Sequence, residues 1–157
     1  KKITDAAILL LVSQNKLKLD SKLFGAGGIL DGIYKGTSDN EKHRYLQMLT
    51  IDHCMKHTAG QPWHNIFDDP PFKLNKLSKH ELTQWILDNR PLLKRPNNQV
   101  YYSNIGYMLL GRVIEKLTNT TYFDFVKKNI MDPIGVTTFA TAPDSQKEKL
   151  ANEVTYY

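Results

Sequence analysis

The chain has 157 residues, 41% hydrophobic, 10% aromatic and 24% charged, with a formal charge of +5. That is long enough for one domain with a core, and the balance is that of a globular protein rather than a disordered or fibrous one. The basic excess is scattered: its densest stretches, Lys94-Arg95 and Lys127-Lys128, are only pairs without interleaved aromatics, so nucleic acid is not expected as a partner. The longest apolar run, Ala6 to Val12, is too short to span a bilayer, which needs about 20 residues. A lone cysteine, Cys54, excludes an internal disulfide framework, and localisation is left open.

In chain order, residues 2–15 predict a first helix, apolar nearly all round from Ala6 to Val12 and therefore expected to be buried on every side. Residues 20–40 carry five glycines and predict sharp turns with one short strand around Ile29. Thr50 is placed to cap a short helix running to Lys56 or His57 and ending near Gly60-Gln61-Pro62. Residues 61–76, with Asp69-Pro70-Pro71, predict loop. Ser78-Lys79-His80-Glu81 then spells a capping box, followed by Leu82, Trp85 and Ile86 on one helical face and a stop at Arg90-Pro91. A strong helix is predicted from Ser103 or Asn104 to about Leu117, a shorter one from Tyr122 to Ile130, and another over Asp144 to Leu150. The fold class expected is mainly α. Asn119-Thr120-Thr121 fits a glycosylation sequon, which matters only in a secreted protein.

Tyr102-Ser103-Asn104 sits where a loop enters the long helix, and Ile105-Gly106-Tyr107-Met108-Leu109-Leu110-Gly111 follows it. This stretch resembles the Tyr-x-Asn motif of class C β-lactamases and the related D-alanyl-D-alanine peptidases and esterases. The resemblance extends to Leu110 through Lys116, Tyr122 through Val126, Met131-Asp132-Pro133-Ile134-Gly135 and, upstream, Leu49 through His53 and His57-Thr58-Ala59-Gly60. Five ordered segments make it specific where a lone Tyr-x-Asn would not. At the N-terminus, Lys1-Lys2-Ile3-Thr4-Asp5-Ala6-Ala7-Ile8 is similar to the family's Ser-x-x-Lys helix from its lysine onward.

The resemblance implies a penicillin-binding-protein-like serine hydrolase in which Lys1 and Tyr102 are catalytic and Asn104 binds substrate. The nucleophilic serine is expected three residues before Lys1, one helical turn away on the same face. Serine needs a base within hydrogen-bond reach, and a lysine amine beside a tyrosine phenol can supply one. The implied fold is the helical region of an α/β β-lactamase-type domain, with residues 1–157 a single partial domain and most of the antiparallel sheet expected outside the chain. No metal or cofactor is implied. The implied partner is a β-lactam, a D-amino-acid peptide or a small ester; the alternative is a non-catalytic scaffold or peptide-binding protein of the same fold. Two positions depart from the pattern: Asn97 stands where glycine is usual, and Asp5 where a small residue is usual.

Other patterns weigh less. Ser13-Gln14-Asn15-Lys16 also spells Ser-x-x-Lys, but at the C-terminal end of its helix, where the dipole opposes an oxyanion. His53 and His57 are four apart, yet no glutamate lies between them and only the distant His64 offers a third ligand, so His57 is expected to satisfy the following turn. Trp63, Trp85 and Tyr107 are expected in the core or the cleft wall. If the sheet that should cover helix 6–12 is missing, its bare apolar side predicts homo-oligomerisation or strongly reduced stability.

Overall fold

The computed structural model describes residues 1–37, 41–63, 76–96 and 99–140. Helix α1 spans Lys2–Ser13 and buries Thr4, Ala7, Ile8 and Leu11, which is one face at i, i+3, i+4, i+7 spacing. Its sequence predicts burial all round, but within the chain only this face is covered. Ile3, Ala6 and Leu9 stay exposed, Leu9 at 49%. The helix ends in a Schellman turn: Asn15 takes a left-handed φ of 55° while its N–H donates to the Val12 carbonyl, and the Lys16 N–H reaches back to Leu11.

The glycine-rich segment forms consecutive turns rather than the strand expected around Ile29. Its one bridge is antiparallel, Lys22 to Thr50. Ile29 and Leu30 instead donate to the Lys22 and Leu23 carbonyls across a tight reversal. Gly28 permits it, since a Cβ there would lie 2.7 Å from the Phe24 backbone.

Helix α2, Ile51–Met55, is short and doubly capped. Thr50 Oγ1 accepts the His53 N–H at 3.3 Å, while His53 Nδ1 accepts the Thr50 N–H at 3.2 Å. His53 is thereby committed to the cap. At the other end His57 adopts φ 60°, and the Thr58 N–H donates to the His53 carbonyl. Helix α3, Lys79–Asn89, begins with the predicted Ser78/Glu81 capping box and buries Leu82, Thr83, Ile86 and Leu87. Helix α4, Asn104–Thr118, starts where Ser103 Oγ accepts the Gly106 N–H at 3.1 Å and ends at Asn119, left-handed at φ 52°. The helix expected from Tyr122 to Ile130 is α-helical only over Tyr122–Val126 (α5). It then widens into a π turn over Lys127–Met131, just before Asp132-Pro133.

Helix α4 is the axis of the packing. Helices α1, α2 and α5 all lie against it, so Ile8 and Leu11 share a core with Leu109, Leu110, Val113, Ile114, Phe125 and Val126. Gly106 lets α2 approach closely: a Cβ added there would sit 3.5 Å from the Cys54 Cα. Burial of Cys54 pushes its thiol well above its ordinary range, so it behaves as a small hydrophobe. Among the described residues there is no extended strand, and no helix is long and apolar enough to cross a membrane. The helix expected over Asp144 to Leu150 and the third histidine, His64, lie outside the described residues.

Candidate active site

The three residues assigned from sequence meet at one end of the α1–α4 pair. Lys1 Nζ donates to Asn104 Oδ1, joining residues 103 positions apart. The same ammonium lies 4.6 Å from the centroid of the Tyr102 ring and 5.2 Å from that of Tyr107, within cation–π range of both. Tyr102 is 55% exposed, so the group opens to solvent rather than closing into the core. Helix geometry explains the convergence. Lys1 and Asp5 are one turn apart along α1, Asn104 and Tyr107 one turn apart along α4, and each pair presents one face to the other.

The second rung of this ladder is Tyr107 with Asp5. The tyrosine hydroxyl donates to Asp5 Oδ1 at 2.7 Å and also lies 3.1 Å from the Met55 carbonyl. The charged residue at position 5 therefore has a partner that fixes the ring beneath Lys1. Burial and the Asp5 carboxylate together hold the Tyr107 phenol well above its ordinary range, so it stays protonated and donating.

His57 completes the group from the turn that follows α2. Its carbonyl accepts the Tyr101 N–H at 2.7 Å, and its ring Nδ1 accepts the Ser103 N–H at 3.0 Å. The imidazole stacks on Tyr102 at 4.7 Å between centroids and contacts Tyr107 at 5.0 Å. Burial, reinforced by the nearby Lys1 charge, lowers its proton affinity below the ordinary histidine value. From the sequence, His57 is expected only to satisfy the following turn, and Tyr107 to lie in the core or the cleft wall. The signal available was positional: Tyr107 follows Asn104 by one turn, and His57 occupies a left-handed helix end.

The competing patterns resolve differently. Ser13 Oγ donates to the carbonyl of Leu10 in its own helix, far along α1 from Lys1. Trp63 is fully buried with its indole N–H on the Arg90 carbonyl at 2.7 Å, and Trp85 packs half-buried against the core.

Comparison with known proteins identifies the family and the fold. The chain is 34% identical over 125 residues to penicillin-binding protein 4* of Bacillus subtilis, covering 74% of this chain and 28% of that protein. In fold it is similar to the octameric penicillin-binding protein homologue of Pyrococcus abyssi, with a TM-score of 0.61 and 22% identity over 87% of this chain and 30% of that one. It is also similar to a D-stereospecific amidohydrolase from a Streptomyces species, with a TM-score of 0.63 and 23% identity over 85% of this chain and 40% of that one. The chain thus spans about three tenths of the length of the curated relative it matches. Its helices form part of the fold shared by these penicillin-binding-protein-like hydrolases. With the β-lactamase family model matching residues 1–155, the chain belongs to the β-lactamase family.

Proposed function

We propose that this chain is the helical part of a serine acyl-transfer hydrolase, with Lys1 and Tyr102 moving protons and Asn104 orienting the substrate. The observation that carries the reading is the Lys1–Asn104 hydrogen bond with the lysine ammonium seated over the Tyr102 ring. Side chains from two distant stretches, Lys1 and Tyr102-Ser103-Asn104, converge on an open edge, where a packed structural cluster would be closed. In the proposed reaction a serine three residues before Lys1 attacks a carbonyl carbon, forming an Oγ–C bond. Its proton passes to the Lys1/Tyr102 pair and on to the leaving nitrogen or oxygen as the scissile bond breaks. Water then attacks the acyl ester, the same pair takes its proton, and serine is restored. The substrate class is a D-amino-acid peptide, a β-lactam or a small ester.

The test is a fluorescent serine-reactive probe applied to the intact protein. Labelling that is abolished by replacing the upstream serine with alanine is the expected result. A well-folded protein that takes no label would overturn the hydrolase and favour a non-catalytic, peptide-holding role.

Self-association of the chain forms a second part of the proposal. Ile3, Ala6 and Leu9 leave an apolar strip beside a groove of about 520 Å³ bordered by Leu19 and Met55, and a structural relative is described as octameric. Surfaces of this kind drive association. Sedimentation of the 157-residue chain is expected to show concentration-dependent oligomers, which Leu9→Lys shifts to monomer. A wild-type chain that remains monomeric at high concentration would exclude it.

A further inference from the structure

His57 carries more interactions than a turn residue needs. It lies in the turn just after α2, and two of its polar contacts hold the segment that presents Tyr102 and Asn104. The carbonyl fixes Tyr101 and Nδ1 fixes Ser103, so residues 101–103 are anchored on either side of Tyr102. The ring then supports the Tyr102 face directly. Ser103 is itself the cap of α4, so the same imidazole sets where that helix begins and where Asn104 points.

We propose that His57 is the positioning residue of the Tyr102–Asn104 segment and acts as its acid-sensitive latch, holding the segment only while the imidazole is neutral. The proposal rests on the hydrolase reading for its catalytic consequence, but not for the latch itself. The chemistry is simple. A neutral imidazole with its proton on Nε2 offers Nδ1 as an acceptor; an imidazolium has two donors and no acceptor. Protonation would set an N–H against the Ser103 N–H and place a second cation beside Tyr102, opposite Lys1. The charged and titratable groups facing the ring are Lys1 and Asp5 from α1, with Tyr102 and Tyr107 from the segment leading into α4 and from α4 itself. Lys1 opposes protonation and Asp5 favours it. Burial and Lys1 prevail, so the imidazole takes its proton less readily than an ordinary histidine. Once it does, the latch releases, and Tyr102 and Asn104 lose their register with Lys1.

The decisive variant is His57→Asn. Asparagine tolerates the left-handed backbone found here, at φ 60°, and its amide oxygen can accept the Ser103 N–H, but it cannot titrate. The intact protein, labelled with [15N]serine, gives a direct readout, with the Ser103 amide assigned by Ser103→Ala. In wild type that amide is expected to shift in a single proton step below the ordinary histidine range, and in His57→Asn to stay fixed. Probe labelling of the upstream serine should fall roughly tenfold per pH unit below the same midpoint in wild type. In His57→Asn that acid limb is expected to move away from this midpoint. A Ser103 amide indifferent to pH in wild type overturns the latch whether or not the variant folds, and so does an acid limb unchanged in His57→Asn. If no label is taken at any pH, the hydrolase reading fails, while the Ser103 titration still decides the latch.

Discussion

The Lys1→Met variant of the intact protein is expected to acylate about a thousandfold more slowly than wild type, with KM changed far less. Methionine keeps the length and the apolar stem, so the packing of α1 on α4 survives and the loss reports the amine. Two roles for that amine make different predictions. If it only supplies a positive charge that fixes Asn104 and the Tyr102 ring, Lys1→Arg retains most of the rate. If it moves a proton, arginine fails almost as completely as methionine, because a guanidinium does not give up its proton in proteins. The proposed mechanism predicts the second result. It also predicts that Tyr102→Phe added to Lys1→Met costs little more than either alone, since groups that act as one unit are not additive. Stopped-flow acylation with a chromogenic ester would separate these outcomes. A Lys1→Arg enzyme near wild-type rate would remove Lys1 from proton transfer.

Much of the frame was legible in the sequence because it is set locally. The capping box at Ser78, the N-cap at Thr50, the stop at Arg90 and the start of α4 each depend on residues within one or two turns. The convergence of Lys1 and Asn104 was available only through resemblance to a family, since nothing local says that positions 103 apart will touch. What resemblance did not supply is the support around that pair. The Tyr107–Asp5 bond spans 102 positions and the Ser103–His57 bond 46, and both exist only once α2 and α1 have docked on α4. Asp5 reads as a departure from the pattern until its partner is visible.

Other expectations went astray for physical reasons. The strand expected around Ile29 rested on a β-branched residue among glycines. There the glycines win, because the backbone donors at 29 and 30 each find a partner seven residues back, on Lys22 and Leu23, rather than on a parallel or antiparallel neighbour. In α5 the apolar spacing continues past Val126, yet the helix opens into a π turn as it approaches Pro133, which cannot donate to a further helical turn.

Trp63→Ala is expected to destabilise the intact fold by about 3–5 kcal/mol, among the largest losses available from one side chain here. Trp63 is fully buried, and its indole N–H on the Arg90 carbonyl ties the segment after α2 to the end of α3. The neighbouring bond from the Leu93 N–H to the Gln61 carbonyl runs between the same two segments, so removing the indole opens a cavity exactly where two loops depend on each other for position. Trp63→Phe separates the contributions. It keeps most of the ring and gives up the hydrogen bond, for which about 0.5–1.5 kcal/mol is expected beyond the cost of the smaller ring. Trp85→Ala serves as the contrast, since that side chain is only half-buried and leaves a site that solvent can fill. Trp63 lies only three residues after Gly60, at the end of the His57 turn, so loosening it should also reach the Tyr102 anchor. Urea denaturation followed by tryptophan fluorescence and circular dichroism would rank the three variants. A Trp63→Ala protein within about 1 kcal/mol of wild type would mean that the indole fills space the surrounding side chains can close without it.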